Sequence, residues 1–173
     1  MITQSFRILE VNLSTGRSTI RSMPGVSTYL GGSGLAARLH LEYSKPGLGW
    51  DDPSQPIVFA VGPLTGFFPL MSKTVCAFTS PLHGQYAESH AGGRSALALR
   101  FAGLDALVVT GRSERPVVLH LGANVIEFMD AGYLWGKDAL TTGKLLRRIL
   151  KGSGHRTIMR IGPAGENKSA MAC

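Results

Sequence analysis

The sequence predicts an α+β fold made of two mainly antiparallel β-sheets with a few flanking helices. About eight short apolar segments read as strands, and two or three segments have the apolar spacing of helices. Short turns, more often than helices, connect one strand to the next. A chain of 173 residues has the length of one domain, so we expect residues 1–173 to form a single domain.

The first half of the chain predicts strands, a hairpin and one helix. Residues 6–13 predict a strand with a bulge near Leu9-Glu10, and residues 18–22 return after the turn at 14–16. A helix begins near Leu35, where Leu35 and Leu39 are spaced i, i+4. Residues 45–56 predict a polar loop, and residues 57–61 and 73–79 predict buried strands.

The second half predicts two helices among further short strands. Residues 88–93 predict a loop that leads into a helix over 94–101, for which Gly103 is a natural C-terminal cap. An amphipathic helix is predicted over 140–151. The remaining predicted strands are residues 106–110, 116–121, 125–129 and 156–161.

Composition excludes several classes of protein. Hydrophobic residues make up 44% and charged residues 17%, which excludes a mainly disordered chain. No apolar run is long enough for a membrane span, and the N-terminus shows no secretory signal. We therefore expect no membrane partner, and the two distant cysteines, which form no disulfide scaffold, indicate a reducing, cytoplasmic compartment.

The net charge of +7 favours anionic partners, but the basic residues are scattered. The densest group, Lys144, Arg147, Arg148 and Lys151, has the spacing of a solvated helix face. No RNA-binding aromatic pattern or zinc-finger spacing accompanies it, so nucleic-acid binding is the weakest hypothesis and we expect none.

Side chains for catalysis or metal binding are not evident from motifs. The five histidines lack metal-ligand spacing, and Cys76 and Cys173 form no cluster. Cys76 lies in a strand-like segment and is expected to be a buried, inert thiol. We predict neither a catalytic residue nor a metal ligand in this chain.

Glycine-rich loops are the unusual feature. Residues 32–37 match G-x-G-x-x-A, but no strand precedes the motif, which favours a plain turn over a dinucleotide site. Gly92-Gly93 directly before a helix, with Arg94 at its first turn, is either a seat for an anion or a helix entry with nothing bound.

Eight segments of the chain, in order and with similar spacing, resemble the N-terminal domain of tungsten-dependent aldehyde:ferredoxin oxidoreductases. Each is short, and together they extend over nearly the whole chain. They are RILEVNLSTG at 7–16, GGSGLA at 31–36, GPLTG at 62–66, TSPLHG at 79–84, AGG at 91–93, LRFAGLDA at 99–106, LWGKD at 134–138 and IGPAGEN at 161–167.

The resemblance implies a base for a bis-pterin tungsten (or molybdenum) cofactor, with magnesium bridging the pterin phosphates. It places Lys73 where the family has an arginine that contacts phosphate. It also places His90, Ala91, Gly92 and Gly93 at an Asn-x-Gly-Gly segment near the pterin and magnesium. Arg94 stands where the family commonly has an aromatic residue, and is either an added anion contact or a surface side chain.

The resemblance also implies that this chain is part of a larger oxidoreductase. The whole enzyme would oxidise an aldehyde to a carboxylate and pass electrons to ferredoxin through a 4Fe–4S cluster. The cluster and two helical domains are expected in the missing part, and this chain by itself is expected to be inactive. Its last residues look like an interrupted strand, as in a truncated chain or a subunit completed by another polypeptide. The alternative is a free-standing, non-catalytic binding or assembly module.

Overall fold

The computed structural model describes residues 4–123, 125–150 and 156–172. A six-stranded sheet has the order β2-β1-β6-β3-β4-β5, and β7 and β8 form a separate hairpin. The strands are β1 (Ser5–Asn12), β2 (Arg17–Pro24), β3 (Ile57–Val61), β4 (Thr74–Thr79), β5 (Tyr86–Ala91), β6 (Ala106–Thr110), β7 (Val117–Leu121) and β8 (Ile126–Asp130). The helices are α1 (Val26–Tyr29), α2 (Gly32–Tyr43), α3 (Ser95–Phe101), α4 (Ala139–Ile149) and α5 (Pro163–Glu166), with a 3₁₀ turn at Gly132–Leu134.

The predicted fold class is confirmed. Only the pairing of β1 with β6 is parallel, and the other strand pairs of the described residues are antiparallel. The fold is therefore α+β, with one large mixed sheet and one small antiparallel sheet.

The large sheet is covered on both faces. Leu35 and Leu39 of α2 pack on one face against Ile8, Val58 and Val75. On the other face, Ala96 and Leu99 of α3 and part of the β7–β8 hairpin pack in a second cluster. The helices α2 and α3 thus lie on opposite faces of the sheet.

The bulge predicted near Leu9-Glu10 is wrong. The strands β1 and β2 pair without interruption from Ser5 with Pro24 to Asn12 with Arg17. Ile8 belongs to one core cluster and Leu9 to the other, and both are fully buried. Consecutive apolar residues occur here because an interior strand buries side chains on both faces.

The strand predicted over residues 156–161 is also wrong. These residues have no regular secondary structure, and most of them are exposed. The residues 169–172, expected to lie in a strand, form turns after α5. Isolated apolar residues such as Ile158, which packs against a third small cluster, imitate a strand pattern here.

The helix predicted over 140–151 is confirmed as α4, although Lys151 lies outside the described residues. Its cap is Asp138, whose carboxylate accepts hydrogen bonds from the backbone N–H groups of Leu140 and Thr141, both at 2.9 Å. None of the helices in the described parts of the chain is long and apolar enough to cross a membrane.

Candidate functional site

The six predicted site residues lie together at one end of the β4–β5 hairpin. Thr74, the first residue of β4, pairs with Ala91, the last residue of β5. Lys73 directly precedes this pair, and Gly92, Gly93 and Arg94 directly follow it. The same segment enters α3, whose first residue is Ser95. Because β5 is the outermost strand, this end of the sheet is open at its side.

This end of the hairpin, residues 73 and 90–94, is exposed throughout. Gly93 has a φ of +83°, which favours glycine. A Cβ atom on either Gly92 or Gly93 would meet no atom within 4 Å. Gly92 has neither a positive φ nor a close neighbour, so nothing within the described chain requires glycine there. Its peptide groups are open to a ligand from outside.

A buried hydrogen bond fixes the loop that contains these glycines. The Thr74 hydroxyl donates to the Ser95 hydroxyl oxygen at 2.7 Å, and both residues are buried. The bond joins the start of β4 to the first turn of α3. It therefore closes the loop of residues 92–94 from beneath. The helix α3 has only seven residues, so its dipole is a minor part of any anion binding here.

A polar cluster that the sequence did not predict surrounds Glu88 in β5. The Glu88 carboxylate accepts hydrogen bonds from the hydroxyl groups of Ser33 (2.7 Å) and Tyr86, and lies 2.9 Å from Nε2 of His90. Partial burial opposes ionisation, but these hydrogen bonds hold the pKa of Glu88 below its usual value. Burial and the hydrogen bond to Glu88 raise the pKa of Tyr86. Glu88 is therefore ionised and Tyr86 protonated at neutral pH.

The glycine-rich motif at residues 31–34 has a packing role. A Cβ on Gly34 would lie 2.3 Å from the carbonyl oxygen of Tyr29, and one on Gly31 would lie 3.0 Å from that of Val61. Gly31 also has a φ of +109°. These glycines let α2 begin against α1 and the loop after β3. Close packing thus explains these glycines, in agreement with the predicted plain turn.

An apolar segment lies beside the candidate site. Between β3 and β4, residues 64–71 expose Leu64, Phe67, Phe68, Leu70 and Met71, and Leu70 is fully exposed. The segment ends just before Lys73. Phe101 of α3 is 72% exposed, and its ring lies 3.9 Å from the position of a Cβ on Gly66. Large apolar side chains of this segment and of α3 are therefore exposed to solvent.

Cys76 is half-buried in β4, and burial raises the pKa of its thiol to about 11. The predicted burial of this thiol is only partial in the structure, and its low reactivity stays a prediction. In residues 4–123, 125–150 and 156–172, no group of three or more His, Cys, Asp or Glu side chains is arranged to hold a metal ion.

Comparison with known proteins places this α+β domain in a family of oxidoreductases. A sequence model described as "Aldehyde ferredoxin oxidoreductase, N-terminal domain" matches residues 8–173. The chain belongs to the aldehyde ferredoxin oxidoreductase family and corresponds to its N-terminal domain.

Relatives of known function support this membership. The tungsten-containing aldehyde ferredoxin oxidoreductase of Pyrococcus furiosus is 37% identical over 164 residues, which cover 93% of this chain and 27% of that protein. The aliphatic sulfonate oxidoreductase, WOR-like subunit, of the same organism is 30% identical over 160 residues. That alignment covers 83% of this chain and 25% of the subunit. The chain thus spans about a quarter of the length of these relatives.

A solved structure has the same fold. It is the active site complex BamBC of benzoyl coenzyme A reductase in complex with 1,5-dienoyl-CoA. The TM-score is 0.79 at 28% identity, over 83% of this chain and 23% of the other chain.

Proposed function

We propose that this chain binds and orients a bis-pterin tungsten (or molybdenum) cofactor in an aldehyde:ferredoxin-type oxidoreductase. The observation that carries this proposal is the exposed glycine pair, Gly92-Gly93, held between Lys73 and Arg94 at the end of the hairpin. Glycine at position 92 has no requirement within the described fold, and contact with a bound molecule supplies one.

The residues present suit the phosphate end of such a cofactor. Lys73 provides an exposed positive charge, which binds phosphate as a point charge without the bidentate geometry of arginine. The backbone carbonyl groups of Ala91 and Gly92 are hard oxygen donors, the kind that magnesium prefers. We propose that these groups hold the phosphates and their magnesium ion, with Arg94 as a further cation at the same end.

When bound, the metal–pterin group supplies the redox chemistry that converts an aldehyde to a carboxylate. The role of this chain is to hold and orient that group. We propose that the 4Fe–4S cluster, the ferredoxin contact and the remaining cofactor contacts lie in other domains or a complementary subunit. The chain corresponds to about a quarter of the length of its relatives, which supports this division.

The apolar segment at residues 64–71 supports a covered position in a larger assembly. Exposed side chains such as Phe67, Phe68 and Leu70 form a patch that a soluble protein rarely leaves in water. The patch adjoins the candidate site, so a partner domain that buries it would also enclose the cofactor. The same patch would serve the alternative function, a non-catalytic binding or assembly module of the same fold.

The test is the metal and pterin content of the protein purified anaerobically from its native host. Tungsten or molybdenum co-purifying with pterin and with iron is expected if the chain works within an oxidoreductase. Pterin without iron or activity would favour the binding module. Protein that is free of both metal and pterin would contradict the cofactor-binding role.

A further inference from the structure

Three side chains of β5 face the same side of the sheet. Tyr86, Glu88 and His90 alternate along the strand, and successive side chains of a strand point to opposite faces. Glu88 lies in the middle and contacts both neighbours. Its third partner, Ser33, is in the first turn of α2. The rings of Tyr86 and His40 of α2 contact each other at an interplanar angle of 72°, with 5.1 Å between the ring centroids. The cluster thus joins the edge strand to the helix that covers it.

The hydrogen-bond roles in this cluster determine where the proton of His90 lies. Ionised Glu88 can only accept hydrogen bonds, because a carboxylate has no proton to donate. The Nε2 atom of His90, 2.9 Å from that carboxylate, must therefore carry a proton. A neutral imidazole has one N–H group, so its Nδ1 atom is left with a lone pair.

We infer that Glu88 is a positioning residue that holds the ring of His90 as its Nε2–H tautomer and leaves Nδ1 as a hydrogen-bond acceptor at the end of the hairpin. A carboxylate behind an imidazole fixes ring and tautomer in the same way at metal-binding histidines. Such an acceptor matches a ligand that donates an N–H group, as a pterin ring does. A phosphate oxygen is itself a hydrogen-bond acceptor and does not pair with Nδ1, so we assign the phosphate contact to Lys73. The ligand assignment rests on the proposed function, whereas the tautomer does not.

The tautomer is measured by long-range proton–nitrogen NMR on the full chain labelled with ¹⁵N-histidine. The spectra are recorded at alkaline pH, where an imidazole is neutral, and the H90Q variant identifies the His90 signals. We expect the Nε2–H form to dominate. In E88L, the ratio of Nε2–H to Nδ1–H should fall about tenfold, as expected for loss of a hydrogen bond to a charged group. An Nδ1–H form in the unaltered chain, or an unchanged ratio in E88L, would overturn the inference.

Two further variants separate positioning from a general structural effect. E88Q keeps an oxygen that accepts a hydrogen bond, so its ratio should lie between those of the unaltered chain and E88L. A ratio in E88Q equal to that of the unaltered chain would overturn the role of the charge. The exposed pair His120 and Glu127, with 3.3 Å between Nδ1 and the carboxylate, provides the matched control. E127L should leave the His90 signals unchanged, and a change there would contradict a local effect of Glu88.

The ligand assignment has its own measurement, the pterin content of the anaerobically purified protein. E88L should lower the pterin content when His90 is present. In the H90A variant, adding E88L should cause no further loss of pterin. A content unaffected by E88L would overturn the pterin contact and leave the NMR result standing. Absence of pterin from the unaltered protein would instead contradict the proposed function, so the two failures are distinguishable.

Discussion

Thr74 at the start of β4 and Ser95 at the start of α3 are joined by a buried hydrogen bond of 2.7 Å between their hydroxyl oxygens. The rest of β4, all of β5 and the exposed glycine pair lie between them in the sequence. The buried bond fixes the first residue of β4 to the first turn of α3, so the intervening backbone at residues 92–94 has a defined path. The exposed part of the site thus depends on a contact beneath it.

Replacement of Thr74 by valine should destabilise the fold. T74V keeps the shape of the side chain but leaves the Ser95 hydroxyl buried without its partner, at a cost of about 1–3 kcal/mol in the free energy of unfolding. Urea unfolding measures this cost. Thr19 is exposed in β2, and T19V should change stability by less than about 0.5 kcal/mol. Equal effects of the two substitutions would contradict a buried bond.

Substitutions of the glycine pair should separate folding from binding. G93A should cost about 1 kcal/mol because alanine disfavours a positive φ, and G84A, at a φ of +68° with equally open surroundings, should cost the same. Under the proposed function, only G93A should also lower the pterin content. G92A should leave the urea midpoint unchanged and lower the pterin content. Normal pterin content in both G92A and G93A would contradict contact with this backbone.

His40 should make the stability depend on pH. Burial in α2 lowers the pKa of His40, so the folded chain binds this proton less readily than the unfolded chain does. The neutral form of His40 contributes favourably to the free energy of unfolding at neutral pH. This contribution is lost as the pH falls below the ordinary histidine pKa of about 6.5 towards the lowered pKa of His40. We expect the urea midpoint to fall between pH 7 and pH 5, and to fall less steeply in H40N. Parallel curves for the two proteins would contradict this assignment.

Cys76 should react slowly with alkylating agents in the folded protein. Burial raises the pKa of its thiol from 9.0 to about 11, and two pKa units reduce the thiolate fraction about 100-fold at a pH well below 9. Iodoacetamide labelling of a C173S variant, followed by mass spectrometry, measures the rate for Cys76 alone. Labelling in urea provides the comparison. A native rate close to the rate in urea would show that the thiol is not buried.

The interior strands were predictable because strands that are buried in a sheet consist mainly of apolar residues. Residues 57–61 and 106–110 are short apolar runs bounded by turns, and both are strands of the central sheet with those bounds. The strand β6 pairs with β3 on one side and with β1 on the other, which joins distant parts of the chain. Hydrophobic pattern alone does not specify such pairing, and the family resemblance supplied the overall architecture.

The edge strand β5 could not be predicted from its own residues. It is largely polar and exposed, because only one of its edges pairs with the sheet and its side chains form hydrogen bonds with one another. Pairing with β4 determines its conformation. The resemblance pointed to Lys73 and His90, and the structure brings these positions to one end of the hairpin. The contact of Glu88 with Ser33, 55 positions away, arises only from packing of α2 on the sheet. The alternation of Tyr86, Glu88 and His90 was the one local sign of it.

We propose that the hairpin end at Lys73 holds a metal–pterin cofactor. The most direct measurement is the tungsten, molybdenum and pterin content of K73Q, purified anaerobically beside the unaltered protein. Lys137 is also exposed, and K137Q removes the same charge away from the hairpin. We predict that K73Q loses most of its pterin and metal, while K137Q retains both. Equal content in K73Q, K137Q and the unaltered protein would contradict the claim.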